Sequence, residues 1–308
     1  MRFAFTEEQV AFRDAVRSML EDACTPEVVR AAWSNDTGRS DKVWALLEEM
    51  GAFDVGEIEL ALVLEETGRA AAPEPVLEHA AVGAPALRDS GEDVPAGAVV
   101  SVAVDEAPLV PYADSVDVLV LERQGRLHLV EPADVTLERR HSIDGSRRLF
   151  AVQWERGKPL AADRDLSFDR GALAAAAQLV GLGAGALGMA VAYAKEREQF
   201  GVKIGSFQAV QHHLADALLA LEFARPAVTW ASWQVAHRKA DRSTSVSLAK
   251  ARASDAALLA CRAALQVHGA IGYTTEHDLH LWMKRAWALA ASWGDAAFHR
   301  ERIARAIL

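Results

Sequence analysis

The chain has 308 residues, 51% hydrophobic and 25% charged, the balance of a folded protein with two or three packed subdomains. A net charge of −10 disfavours a nucleic-acid binder, which needs a basic face to displace phosphate counterions, but leaves room for an anionic small ligand held by a few local arginines. Two isolated cysteines, Cys24 and Cys261, argue against a disulfide framework or zinc site and suit a reduced, cytoplasmic setting.

The opening MRFAFTEEQVAFRD has no apolar core of a signal peptide, and Gln178 interrupts the most apolar stretch, 171–194, against a membrane span. Residues 1–97 read as a helical domain. Thr6 and Gln9 form a capping box, Phe5 and Val10 a hydrophobic staple, and the first helix runs to Thr25-Pro26. VWALLEEMG and GEIELALVLEETGRA follow as short amphipathic helices, the second closed by Gly68 as the residue just past its end. Pro73 and Pro75 open a further segment to about Arg88.

Residues 98–163 change period. AVVSVAVDE and DVLVLERQGRLHLVEP read as strands with a hairpin turn at Gln124-Gly125. DVTLERR and RLFAVQWER complete a small antiparallel unit of four or five strands. Residues 164–308 return to helix. Leu173, Ala177, Val180, Ala184, Leu187 and Val191 form one apolar stripe, interleaved with Gly181, Gly183, Gly185 and Gly188, which point to close backbone approach. Phe207, Val210, Leu214, Leu218, Leu221 and Val228 form a second. Helices over 243–268 and 275–291 follow, the last opened by a Thr275/Asp278 capping box, so that four long helices make a bundle.

Two stretches carry chemistry. In 193–225, YAKEREQFGVKIGSFQAVQHHLADALLALEFAR, a helix ends near Glu198, Gly201 and Gly205 make a turn, and a new helix starts near Phe207. Arg197 at one helix end and Gln208 at the next helix start suit a phosphate or pyrophosphate, because exposed helix-start amides and a guanidinium both favour an anion. In 264–286, ALQVHGAIGYTTEHDLHLWMKRA, Gly269 and Gly272 make turns, and Gly269 lets a ligand approach the backbone. Taken singly, each is also an ordinary helix connection. His277 and His280 read as surface histidines without a third metal ligand, and His212-His213 as structural. Trp230, Trp233, Trp282 and Trp287 read as core or interface anchors, and Cys261 as buried packing.

Together, REQFGVKIGSFQAVQHHLAD and QVHGAIGYTTEHDLH resemble the C-terminal domain of the acyl-CoA dehydrogenase family, and FTEEQVAFRDAVR and EETGRA its N-terminal helical domain. The resemblance implies a mainly α fold with a small β domain: an N-terminal helical domain (1–97), a reduced middle β domain (98–163) and a C-terminal four-helix bundle (164–308). It also implies α,β-dehydrogenation of an acyl-CoA thioester with FAD lying across a subunit interface. The residues matching the neighbour's contribution to that FAD are Arg197, Gln199, Phe200, Gln208, Gln266, Val267, His268, Gly269 and Ala270, where Ala270 replaces a glycine common in the family.

The resemblance equally marks what is missing. Neither the T-E-x-x-x-G-S-D loop nor the W-I-T-N strand occurs in 98–163, and no E-x-x-G-G-x-G loop lies between Met50 and Glu57. The family's usual base position, a glutamate before glycine, is Trp293 before Gly294; the alternative position is about Gly171, with Asp169 two residues before it as the one carboxylate to consider. Indole accepts no proton and glycine has no side chain. The expectation is therefore a subunit without a catalytic residue of its own, sharing FAD with a paralogous catalytic chain in an α2β2 assembly. Some members of this kind act on steroid-derived acyl-CoA and pass electrons to an electron-transfer flavoprotein. The alternatives are a homo-oligomeric dehydrogenase with an atypical base and a flavin-free helical scaffold.

Overall fold

The computed structural model describes residues 4–105 and 109–308. Five helices precede the strands: α1 (Glu7–Ala23), α2 (Pro26–Ala32), α3 (Asp41–Glu49), α4 (Glu57–Arg69) and α5 (Ala84–Asp89), with a π-helical turn Leu77–Gly83 leading into α5. The Thr6/Gln9 capping box forms as expected, each side chain taking the other's backbone N–H. Gly68 differs from its expected role: it lies inside α4, which ends at Arg69. A Cβ on Gly68 would sit 2.8 Å from Gln178 Cα, so this glycine exists for a backbone-to-backbone crossing rather than a helix end.

The strands form two small sheets. β1 (Val100–Ala103), β3 (Val118–Arg123), β4 (Arg126–Val130) and β7 (Lys158–Pro159) make one, in the order β1-β3-β4-β7. β2 (Leu109–Pro111), β6 (Leu149–Trp154) and β5 (Val135–Arg140) make the other. The Gln124-Gly125 hairpin forms with both residues at positive φ, the requirement of a tight two-residue turn. The unit is not wholly antiparallel, since β1 pairs parallel with β3, Val100 opposite Val118. The two short strands β2 and β7 carry too few residues to show a period.

α6 (Arg164–Glu196), α7 (Gln208–Ala236), α8 (Arg242–His268) and α9 (Leu279–Ala291) form the bundle, joined by a fifth helix, α10 (Ala296–Ile307). A two-strand hairpin, β8 (Glu198–Gln199) and β9 (Val202–Lys203), links α6 to α7. α9 starts four residues later than expected. Asp278 makes no side-chain cap there and instead pairs with Arg30 of α2, which also donates to Thr275 O at 2.9 Å. α6 is the one helix among the described residues long and apolar enough to cross a membrane, and 72% of its apolar window is buried inside the protein.

The glycines of α6 explain that packing. A Cβ on Gly181 would meet Arg69 N at 2.7 Å and Glu65 O closer still, and one on Gly185 would meet Arg69 O at 2.5 Å. α4 thus lies directly on α6, and Gln178 donates to Thr67 Oγ1 at 3.2 Å across the crossing. Gly188 faces open space. Arg17 and Arg225 close the α1, α4, α7 corner on Glu66 and Glu65. On the sheet side, the buried Arg285 guanidinium of α9 donates to Asp144, Ser146 Oγ and Ala72 O, tying bundle, strand zone and N-terminal helices at one point. Of the histidines expected at the surface, His280 is half-buried against the Trp33 ring, 5.4 Å between centroids, and His277 accepts the Leu279 N–H at 3.1 Å. His212 and His213, expected to be structural, are both exposed on α7.

Candidate active site

The two motif stretches meet at one end of the bundle. α6 stops where Arg197 turns extended, and the β8–β9 hairpin returns the chain so that Ile204 N–H donates to Arg197 O at 2.9 Å. Phe200 and Gly201 form the hairpin tip at positive φ. α7 then begins at Gln208 with Phe207 as an N-cap that makes no side-chain bond, leaving its first amides to another acceptor. α8 ends at His268 before Gly269, whose φ of +62° and ψ of −137° belong to glycine. His268 stacks on Tyr193, one turn before Arg197, at 4.6 Å, and that contact joins the two stretches. Its Nδ1 faces Ala264 O at 2.7 Å, while its buried Nε2 has no hydrogen-bond partner.

Arg197, Gln199, Phe200, Gln208, Gln266 and Ala270 are exposed, Phe200 at 93%. Val267 is not part of this surface; its side chain is in the core. Gln199 spends an amide hydrogen on Glu198 O. Phe207, Leu218, Leu219, Phe223 and Tyr273 add exposed apolar surface on the same segments. A guanidinium, an uncapped helix start, two carboxamides and a bare glycine turn form a set that fits the pyrophosphate and nucleotide end of FAD.

At the other end of α6 lies the second feature. Trp293 and Gly294 link α9 to α10, both at positive φ, +55° for Trp293. Two side chains hold this strained turn: His299 Nε2 meets Trp293 O at 2.8 Å, and the buried Lys250 amine donates to Gly294 O at 2.9 Å and Ala290 O at 3.1 Å. Burial lowers the Lys250 amine to about 7 and the His299 imidazole to about 4. The indole lies on Gly171, where a Cβ would be 2.6 Å from Cδ2 and closer to Cε3 and Cζ3. The two positions singled out from the sequence are therefore in direct contact, and the indole fills the space of both. Asp169 is fully buried and committed: it accepts from Ser243 Oγ at 2.6 Å and Arg302 at 2.8 Å, with Arg242 at 3.2 Å.

Trp293 also forms one wall of a cavity of about 460 Å³ between strands and bundle. Its floor carries an ion pair, Glu78 to Arg147 at 3.1 Å, with both side chains buried and Arg147 within 3.4 Å of Ser292 Oγ.

Residues 157–308 match the family profile described as acyl-CoA dehydrogenase, C-terminal domain. Along nearly its whole length the chain is similar to acyl-CoA dehydrogenase IpdE2 of Mycobacterium tuberculosis, with 32% identity over 298 residues and 91% of each chain covered. It is 33% identical over 319 residues to IpdE2 of Mycolicibacterium smegmatis, covering 97% of this chain and 98% of that one. The chain belongs to the acyl-CoA dehydrogenase family.

Among solved structures, the fold is shared with a variant of the Tcur3481–Tcur3483 steroid ACAD (TM-score 0.90, 24% identity, 98% of each chain covered). It is shared also with the ChsE4–ChsE5 complex of Mycobacterium tuberculosis (TM-score 0.88, 22% identity, 99% and 98% covered). The Glu78–Arg147 ion pair lining the cavity beside Trp293 is not legible in the sequence. Its two residues lie 69 positions apart, one on an irregular π-helical turn and one in a loop, so no local period links them.

Proposed function

We propose that this chain is the base-lacking subunit of a heteromeric, FAD-dependent acyl-CoA dehydrogenase. A paralogous catalytic chain would join it in an α2β2 assembly acting on a bulky, steroid-derived acyl-CoA. The observation that carries the reading is the length of α6. Gly171, under the Trp293 indole, and Arg197 lie twenty-six residues apart on or just past one helix, or ~39 Å at 1.5 Å per residue. An extended FAD is shorter than that, so a nucleotide end held at Arg197 belongs with a flavin ring seated in another subunit. The exposed apolar groups around Phe200 and Phe223 supply a face for that subunit to cover.

Bound FAD supplies the redox chemistry, taking the substrate's β-hydrogen as hydride while a base takes the α-proton. This chain's part is placement. Arg197 and the start of α7 would neutralise the pyrophosphate, the Gln208 and Gln266 side-chain amides would donate hydrogen bonds, and Gly269 would allow close backbone approach. Its own Trp293 end moves no proton: indole is no acceptor, Asp169 is tied to two arginines, and Glu78 is paired with Arg147. Kinship with a steroid dehydrogenase and with a two-chain complex supports the substrate class and the partner, and an electron-transfer flavoprotein as acceptor follows from the family.

The test is purification of the chain alone and co-expressed with a candidate catalytic paralogue. The lone chain should be colourless; the pair should be yellow, oxidise acyl-CoA and lose most of its flavin on Arg197→Ala in this chain. Stoichiometric FAD and turnover in the lone chain would overturn the assignment.

A further inference from the structure

We propose that the groove where α1, α4 and α7 meet binds an amphiphilic carboxylate. The head would lie among Arg13, Arg17, Arg69 and Arg225, and the apolar body against Phe5, Ile58, Pro226 and the Trp230–Trp233 pair. The assignment does not depend on the shared flavin site, and the groove has no lining residue in common with the cavity beside Trp293.

Shape is the first consideration. One hollow, of about 300 Å³, lies over the arginines, and another, of about 450 Å³, over the aromatic residues. Phe5, Ile58, Arg225 and Thr229 line both, so the two run together. That is ample for a small ligand. Trp230 and Trp233 stack on each other, 5.2 Å between centroids at 16°, and Trp233 stacks in turn on His237 at 4.4 Å. The column is set before a guest arrives. With its two faces taken, Trp233 offers a ring edge, which suits the face of an aromatic guest.

Charge is the second. Behind the arginines stand Glu65 and Glu66, both buried. Arg17 and Arg69 donate to Glu66 at 2.9 and 3.0 Å, and Arg225 donates to Glu65 at 2.9 Å. The other partners, Asp14 of Arg13 and Glu222 of Arg225, are rim residues with side chains 53% exposed, where solvent weakens their pull. Four guanidiniums therefore face two buried carboxylates, and burial pushes the Glu65 carboxyl up, towards its neutral form. A guanidinium has five N–H donors; Arg17 spends two on Glu66 and Arg69 one, so Nη1 of each still has hydrogens to give. The four arginine side chains are between 27% and 34% exposed, so a guest can reach them. A carboxylate accepts two such bonds at once, whereas a cation would be repelled.

Three probes separate head from body. 2-Naphthoate carries both; 2-naphthamide keeps the rings without the charge; acetate keeps the charge without the rings. Calorimetric titration of the purified protein, alone or in its complex, should give saturable 2-naphthoate binding at one per chain. 2-Naphthamide should bind about tenfold more weakly, the scale of one hydrogen bond to a charged donor, and acetate more weakly still. Thr229→Trp puts an indole where the two hollows join and should abolish 2-naphthoate binding. The Thr229 hydroxyl bonds only to Arg225 O of its own helix, so the fold loses little. Arg69→Gln, with Arg17 still holding Glu66, should weaken 2-naphthoate about tenfold and leave 2-naphthamide unchanged. No saturable 2-naphthoate binding, equal or tighter binding of 2-naphthamide, or undiminished 2-naphthoate binding in either folded variant would overturn the proposal. None of these results bears on flavin content, which tests the heteromer separately.

Discussion

The contact between Gly171 and Trp293 can be tested by a double-mutant cycle. Gly171→Ala adds a methyl 2.6 Å from the indole Cδ2 and nearer to two other ring atoms. The indole has little room to retreat, with Phe168 nearby and its carbonyl held by His299. Overpacking of this kind costs about 1–3 kcal/mol, while exchanging glycine for alanine inside a helix returns about 1 kcal/mol. The net expectation for Gly171→Ala alone therefore runs from no change to a loss of about 2 kcal/mol. With Trp293→Ala already in place the clash is gone and only the helix term remains, so the same change should stabilise by about 1 kcal/mol. The difference between the two backgrounds amounts to a coupling of about 1–3 kcal/mol, the overpacking cost itself. Urea unfolding followed by far-ultraviolet circular dichroism, at one protein concentration for all four variants, reads it directly. Additivity within about 0.5 kcal/mol would refute the contact, and with it the claim that one indole occupies both base positions.

Two further outcomes follow from buried polar groups. Burial lowers His79, whose Nδ1 accepts the Val100 N–H, and His299 to about 4. The unfolded chain takes protons first, near 6.5, so stability is complete above that pH and falls as pH drops towards 4, by about 3 kcal/mol per histidine; urea midpoints measured from pH 7 to 4 should decline less steeply in His79→Asn. Asp144→Asn removes the carboxylate facing the fully buried Arg285 and should cost about 3–5 kcal/mol, seen as a lowered urea midpoint, whereas Arg300→Ala, at an exposed pair with Asp255, should change it by less than about 1 kcal/mol.

Features settled by neighbouring residues are legible in the amino-acid order itself. The Thr6 cap, the Gln124-Gly125 hairpin and the turns at Gly201 and Gly269 each need a particular residue at a particular backbone angle, and the sequence displays it. Features settled by distant partners are not. Gly68 looks like a helix end because glycine commonly ends helices, but the oxygen and Cα of Gln178, 110 positions away, decide its role. Thr275 and Asp278 have capping spacing, yet the carboxylate is drawn off by Arg30 from the far end of the chain. Counting along the sequence reaches Trp293; that it rests on Gly171 follows only from the packing of α9 and α10 on α6.

The span of α6 also sets how assemblies containing this chain count their active centres. On the proposed function, a rod with a nucleotide-binding end and an indole-filled end would not complete a centre by itself, whatever its concentration. In the proposed heteromer, each copy would lend its arginine end to one site and contribute a blocked end that hosts none. Mixtures of the two chains should therefore contain as many working flavins as copies of the scarcer partner. An excess of this chain adds protein but no turnover.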